Sequence, residues 1–166
     1  MSTLPESVQN LIDEFSKLPG VGPKSAARLT FYLLSKSEED INKFGDAVNE
    51  LKRGLVNCQK CYNIATSDPC IVCQNTKRDS KIICVVEESL DIVALEKTEF
   101  AGLYHVLGGV ISPIDGIGPD DIRIGQLLKR LIDGSIDEII LATNPSLEGE
   151  ATSMYIYREV EKLKNE

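Results

Sequence analysis

The sequence predicts a mixed α/β protein with a helical N-terminal part and a parallel sheet in its C-terminal half. Up to about residue 56, apolar residues recur at three- and four-residue intervals, the spacing of one helix face. From Lys81 onward, short β-branched runs alternate with helical patterns, which is typical of a parallel sheet covered by helices. We therefore expect three regions: a helical unit at 1–56, a small cysteine-rich unit at 57–80 and an α/β domain at 81–166.

Three helices are expected in the N-terminal unit. The apolar face of the first consists of Val8, Leu11, Ile12 and Phe15. The second begins at Pro23, because proline is favoured at the first position of a helix, and runs to about Leu34. The third follows Ser37, a good N-cap, and has three acidic residues in its first turn, where the helix dipole favours them.

The C-terminal domain is predicted to alternate strands and helices. We expect strands at Lys81–Glu87, Gly102–Val110 and Glu138–Thr143, and helices at Leu90–Glu96, Asp120–Asp133 and Glu150–Lys164. The last strand is apolar throughout its centre and is expected to be buried.

The acidic residues are concentrated in the C-terminal half. The net charge is −8; residues 1–57 carry seven Lys/Arg and eight Asp/Glu, whereas residues 82–166 carry seven and sixteen. Any contact with phosphate is therefore expected in the N-terminal half, and it should be salt-sensitive. The sequence shows neither a membrane-spanning apolar run nor a signal-peptide pattern, so we expect a cytoplasmic protein with no membrane partner.

Four cysteines form two pairs, Cys58-x-x-Cys61 and Cys70-x-x-Cys73. Each pair provides two thiolates from one tight turn, and together they match the tetrahedral S₄ geometry that Zn²⁺ accepts. Four protein ligands leave no position for water, so the expected zinc is structural, one per chain. Two disulfides or a redox-active pair are the alternatives. The fifth cysteine, Cys84, lies in an apolar run and is expected to be a buried hydrophobic residue.

A glycine turn separates the first two helices, in the segment 18–24 with Gly20 and Gly22. The helix that follows presents free N–H groups, and Lys24 and Arg28 lie four residues apart on one face of it. This segment resembles the helix-hairpin-helix motif, which grips the DNA backbone without reading bases. The resemblance implies DNA binding by Gly20, Gly22, Lys24 and Arg28. The alternative is a simple helical hairpin that serves only packing.

Two apolar strands end in acidic residues, at Glu87 and at the Glu-Gly-Glu segment 148–150. This pattern resembles the Toprim domain of topoisomerases, primases and related nucleases, in which the first strand ends in a catalytic glutamate and a later Asp-x-Asp pair holds magnesium. Here Asn144 and Ser146 align with the two aspartates, and neutral side chains are poor replacements for carboxylate ligands. We therefore expect no catalysis, with Glu87 and Glu148 as possible partner contacts. The alternative is a divergent Toprim enzyme, such as a magnesium-dependent nuclease or strand-passage protein.

The order of these three features, together with the segments Tyr104–Gly109 and Ser112–Pro119, resembles the RecR family of bacterial recombination mediators. The resemblance implies a non-enzymatic DNA-repair protein that binds single- and double-stranded DNA without sequence preference. It also implies RecO and RecF as partners, help in loading RecA onto SSB-coated DNA, a ring-shaped homo-oligomer and association with the nucleoid.

Members of this family usually continue with another strand and a tail, so we expect a truncated chain with an exposed sheet edge. His105, the only histidine, is expected to be a packing residue rather than a catalytic one.

Overall fold

The computed structural model describes residues 4–132 and 135–164. The chain divides into two compact units, one ending at Arg53 and the other beginning at Gly54. The architecture is mixed α/β, with helices first and a parallel sheet later, as the sequence predicts. In the described ranges, no helix is long and apolar enough to cross a membrane.

The first unit contains the three predicted helices, α1 (Glu6–Ser16), α2 (Pro23–Leu34) and α3 (Glu38–Glu50). Pro23 is the first residue of α2, and the Ser37 hydroxyl accepts a hydrogen bond from the N–H of Asp40 at 3.2 Å, which caps α3. Helices α1 and α2 pack together and form the hairpin that carries the glycine turn.

The second unit begins with a small cysteine-bearing subdomain. Strands β1 (Val56–Asn57) and β2 (Ile64–Ala65) form an antiparallel pair, and the short helix α4 (Ile71–Gln74) follows. The sequence did not predict these three elements, because each is too short to show a hydrophobic period.

A three-stranded parallel sheet forms the centre of the second unit, in the order β4-β3-β5. The strands are β3 (Asp79–Val86), β4 (Gly102–Val106) and β5 (Glu138–Leu141). The helices are α5 (Ser89–Leu95), a 3₁₀ turn (Glu96–Thr98), α6 (Ile124–Ile132) and α7 (Leu147–Lys164). The largest core cluster of buried residues consists of Ile83, Val85, Leu107, Ile122, Ile124, Leu127 and Ile156.

Several details of this domain differ from the sequence prediction. Strand β4 ends at Val106 rather than Val110, because Gly108 and Gly109 have φ values of 86° and 146° and turn the chain. The expectation that the last strand is buried was wrong: β5 lies at the edge of the sheet, and Ile140 is 37% exposed. Helix α6 begins at Ile124, and the predicted end of this helix at Asp133 lies outside the described residues.

The outer edge of β4 is covered by two arginines and one loop carbonyl. The carbonyl oxygens of its first and third residues accept hydrogen bonds from Arg78 and Arg130, each at 2.9 Å. The N–H of its last residue, Val106, donates to the carbonyl oxygen of Cys61 at 2.8 Å. The cysteine subdomain is therefore attached to the sheet through β4. On the opposite side, β5 pairs only with β3 among the described residues.

Candidate functional site

The structure brings the four paired cysteines together. The Sγ atoms of Cys58, Cys61, Cys70 and Cys73 all lie within 4.8 Å of one another, and three of these residues are buried. The separation of Cys61 Sγ and Cys70 Sγ is 3.6 Å. Four sulfurs at about 2.3 Å from a tetrahedral Zn²⁺ would lie about 3.8 Å apart, so this cluster fits the metal. The same separation is far longer than the disulfide length of about 2.05 Å, and the cysteines are free thiols.

Backbone N–H groups point at these sulfurs. The N–H of Cys70 lies 3.4 Å from Cys58 Sγ, and the N–H of Cys73 lies 3.5 Å from Cys70 Sγ. Burial raises the pKa of the Cys58 thiol, but hydrogen bonds from backbone N–H groups outweigh it and lower this pKa to about 7. The neighbouring thiol of Cys73 and burial instead raise the pKa of Cys61. Several thiolates in one buried cluster repel one another, so a bound cation would stabilise this set of four sulfur donors.

His105 lies under the cysteine subdomain, in β4, and is fully buried. Its Nε2 is 2.8 Å from the carbonyl oxygen of Arg123, so Nε2 carries the proton, since a carbonyl can only accept. Its Nδ1 then accepts from Arg130 Nη1 at 3.2 Å. Burial lowers the pKa of His105 to about 4, and the two arginines act in the same direction. The imidazole is neutral and its ring contacts Tyr62 edge-on at 5.4 Å, an arrangement of packing rather than catalysis.

The glycine turn of the first unit is open and exposed. Gly20 has a φ of 77°, a conformation that favours glycine, and the N–H of Val21 donates to the carbonyl oxygen of Leu18 at 3.0 Å. Gly22 is the N-cap of α2 and gives no side-chain cap. A Cβ atom at either glycine would meet no atom within 4 Å, so another molecule has free access to this backbone.

The two cations of α2 differ from other cations of the first unit. Lys24 and Arg28 are exposed, and α2 contains no acidic residue. Within the described part of the chain neither makes an ion pair, whereas Lys17, Lys43 and Arg53 each pair with a glutamate. Lys24 and Arg28 therefore keep their charge available for an external anion.

Glu87, at the end of β3, is buried and fixed by Asn144. Its Oε1 accepts from the backbone N–H of Asn144 at 2.7 Å, and its Oε2 accepts from Asn144 Nδ2 at 2.8 Å. The carbonyl oxygen of Glu87 accepts from Gly108 and Gly109 at 2.8 and 3.1 Å. The two N–H donors of Asn144 thus stabilise the Glu87 carboxylate, as a bound metal ion would do if residue 144 were an aspartate.

Helix α7 closes against this pair without room for a side chain. A Cβ atom at Gly149 would overlap the carbonyl oxygen of Asn144 and lie 2.8 Å from Glu87 Oε1. The Oγ of Ser146 accepts a hydrogen bond from the N–H of Gly149 at 3.0 Å. Glu148 is half-buried at the start of α7. The two acidic positions singled out from the sequence, Glu87 and Glu148, thus follow neighbouring strands, but only Glu87 is held by hydrogen bonds from Asn144.

Sequence reasoning missed one cation of this region, Arg130. It lies 25 residues from His105 along the chain, and its helical spacing marks only the polar face of α6. The signal that could have revealed it is an arginine next to apolar positions of a helix in an acidic domain, and this signal is weak.

Both parts of the chain are similar to known proteins. The family profile described as "RecR, helix-hairpin-helix" matches residues 8–52, and the profile of the Toprim domain matches residues 81–166. A protein of Herpetosiphon aurantiacus named "Recombination protein RecR" is 54% identical over 157 residues, covering 94% of this chain and 77% of that protein. A protein of the same name from Tropheryma whipplei (strain Twist) is 52% identical over 158 residues, covering 95% and 80%.

Proposed function

Because this chain belongs to the RecR family of recombination proteins, we propose that it is a non-enzymatic DNA-binding mediator. In this role it acts with RecO and RecF in recombinational repair and helps RecA to load onto SSB-coated single-stranded DNA. We assign one role to each of the three predicted regions. Residues 1–56 contact DNA, residues 57–80 form a zinc-stabilised support, and residues 81–166 offer the partner surface. The observation that carries the proposal is the pair of exposed, unpaired cations behind an open glycine turn.

The DNA contact is assigned to Gly20, Gly22, Lys24 and Arg28. The N-terminus of α2 presents backbone N–H groups, and Lys24 and Arg28 add two charges on one helix face. The strongly acidic second unit repels phosphate. These groups contact phosphates rather than base edges, so binding should be independent of sequence and should weaken with salt.

One hairpin touches only a few phosphates, so a single copy should bind weakly. Several copies held in one assembly raise the effective concentration of each hairpin at the DNA and multiply weak contacts. This requirement supports the ring-shaped homo-oligomer that the family implies.

The DNA contact is tested with Lys24→Ala, Arg28→Ala and their double variant. Fluorescence anisotropy with single- and double-stranded oligonucleotides at several salt concentrations measures affinity, and light scattering measures the assembly state. We expect each substitution to weaken binding to all sequences alike and to reduce the salt slope by roughly one unit per interacting copy.

Lys43→Ala is the matched control. It removes the same charge from α3, where the lysine pairs with Glu39 at 2.6 Å. If the double variant assembles normally and binds DNA as tightly as the wild type, the hairpin is a packing element and not the DNA site.

The cysteine cluster is assigned to one structural zinc ion per chain, held by Cys58, Cys61, Cys70 and Cys73. The bound metal supplies a cross-link between the two turns of the subdomain and leaves no coordination position for a substrate. Metal analysis of chelator-free protein should give about one zinc per chain. Cys58→Ser should lower that content and the melting temperature, whereas Cys84→Ser should retain the metal. Protein without stoichiometric metal contradicts this assignment.

The acidic end of the sheet is assigned to partner binding, with RecO as the partner. Asn144 already satisfies both oxygens of the Glu87 carboxylate, so this site needs no magnesium to be stable. Glu148 stands beside it with no hydrogen bond from Asn144. We expect Glu148→Gln to weaken RecO binding in calorimetry, and Glu99→Gln, an exposed control, to leave it unchanged. Magnesium-dependent DNA cleavage by pure protein, lost in Glu87→Gln, would overturn the non-catalytic assignment.

A further inference from the structure

Arg130 is a half-buried cation without a carboxylate partner. It lies in the last turn of α6, and its Nη1 donates to the carbonyl oxygen of Tyr104 at 2.9 Å and to His105 Nδ1 at 3.2 Å. Both acceptors are neutral. Throughout residues 4–132 and 135–164, no carboxylate forms an ion pair with Arg130. A guanidinium does not deprotonate in proteins, so its charge needs compensation from another source.

The cysteine cluster lies on the same edge of β4 as Arg130. Val106, one residue after His105, donates its N–H to the carbonyl oxygen of Cys61 at 2.8 Å. The ring of Tyr62, the next residue after Cys61, contacts the His105 ring at 5.4 Å. The same His105 ring accepts the hydrogen bond from Arg130 on its other nitrogen. One imidazole therefore separates the guanidinium from the metal-binding turn.

The charges acting on Arg130 agree with this geometry. Burial lowers the pKa of Arg130, whereas the groups of Cys73, Cys61 and Cys58 raise it. The cysteine groups are therefore close enough to stabilise the charge of Arg130 when they are thiolates, as they are in a zinc complex.

A zinc ion with four thiolates carries a net charge of −2. Such a charge is unfavourable in a partly buried site unless a cation stands near it, because the surroundings solvate it poorly. We propose that Arg130 is the counter-ion of the zinc–tetrathiolate centre and that its charge sets the zinc affinity of the protein. This inference rests on the assignment of zinc to the four cysteines.

The counter-ion role predicts opposite effects in the two metal states. With zinc bound, the charge of Arg130 stabilises the anionic centre. Without zinc, the −2 charge of the centre is absent, and the same guanidinium is a half-buried charge with no carboxylate partner in the described chain. Removing the charge should therefore reduce the stabilisation by zinc more than it changes the stability of the metal-free chain.

The test compares Arg130→Gln, Arg130→Lys and Lys129→Gln in the full chain. Glutamine keeps a hydrogen-bond donor and loses the charge, lysine keeps the charge, and Lys129→Gln removes an exposed charge from the adjacent residue. Zinc affinity is measured by competition with a chelator, and the spectrum of the Co²⁺-substituted protein reports whether the S₄ geometry is retained. Melting temperatures are measured for each variant with zinc and after chelation.

We expect Arg130→Gln to weaken zinc binding by about 10–100-fold with an unchanged cobalt spectrum. A loss of this size is typical when a residue outside the ligand shell of a metal is replaced. Arg130→Lys should recover most of the affinity, and Lys129→Gln should match the wild type. The zinc-dependent rise in melting temperature should shrink in Arg130→Gln alone.

Equal losses in the glutamine and lysine variants would overturn the proposal in favour of a hydrogen-bonding role. Wild-type affinity in Arg130→Gln, or an equal loss in Lys129→Gln, would also overturn it. Absence of zinc from the wild type would instead refute the metal assignment itself.

Discussion

Replacing Asn144 by aspartate should lower the free energy of unfolding by about 4 kcal/mol near pH 7, because it places two carboxylates in contact. In the native chain, the backbone N–H and the side-chain Nδ2 of Asn144 donate to the two oxygens of Glu87 at 2.7 and 2.8 Å. Aspartate keeps the first hydrogen bond and turns the second into a repulsion between oxygens. Glu87 is only 8% exposed but residue 144 is exposed, so water screens this repulsion in part and an effective dielectric constant of about 20 applies.

Two routes to the magnitude agree. Two unit charges about 4 Å apart repel by about 4 kcal/mol at an effective dielectric constant of about 20. The protein can instead bind a proton on one of the carboxyl groups, which costs about 3.7 kcal/mol when a pKa of about 4.3 is compared with pH 7. The smaller of the two values, about 3.7 kcal/mol, is the upper limit of the loss in the free energy of unfolding.

The pH dependence has a definite sign. Repulsion between the two carboxylates raises the pKa of the pair in the folded variant, so the folded variant binds more protons than the unfolded chain above about pH 4.3. The loss of stability should therefore shrink by about 1.4 kcal/mol for each unit that the pH falls, relative to the wild type. A divalent cation that binds between the two carboxylates should relieve part of it at neutral pH.

Urea unfolding of wild type and Asn144→Asp near pH 7 and pH 5, with and without Mg²⁺, checks these expectations. Asn42→Asp is the control, because it makes the same charge change at an exposed site on α3. Wild-type stability of Asn144→Asp at neutral pH, or a loss that does not change with pH, would refute the role given to the Glu87–Asn144 pair.

Three further predictions concern single side chains. Gly149→Ala should lower the free energy of unfolding by about 1–3 kcal/mol in urea titrations, since its Cβ overlaps the carbonyl oxygen of Asn144. Burial lowers the pKa of His105 to about 4, so NMR should find its imidazole neutral at about pH 5.5. The unfolded chain takes up that proton below about pH 6.5, so His105 should reduce stability as the pH falls from 6.5 towards 4. Arg78→Met should cost about 1–3 kcal/mol in the same titrations, because it leaves two backbone carbonyls without their donor and removes one of the two donors to the part-exposed Glu96 carboxylate.

The sequence was most informative where a local pattern determines local structure. Ser37 and Pro23 predicted the starts of α3 and α2, because caps and first-turn residues act within four residues of the helix end. The spacing of the cysteine pairs predicted which four side chains meet, because each pair forms one tight turn. Family membership confirmed the recombination role that the order of the motifs implied.

Features that depend on contacts distant along the chain could not be predicted from the sequence. The alignment of Asn144 with a metal-binding position predicted lost catalysis, but not that its amide would hold Glu87, 57 residues away. The exposed character of β5 was missed because strand order, which determines the edge, has no signature in an apolar run such as Ile139–Leu141. The contact of Arg130 with His105 was missed because the two residues lie 25 positions apart along the chain.

The two sides of the sheet have unequal capacity for growth by strand addition. On one side, two guanidinium groups and the Cys61 carbonyl occupy polar groups of β4, so a strand from another molecule would have to displace them. On the other side, the backbone of β5 pairs only with β3 in the described chain. A sheet with two free edges can add molecule after molecule and polymerise, whereas a sheet with one free edge is complete after a single addition. The arginines at β4 therefore remove one of the two edges that such polymerisation needs.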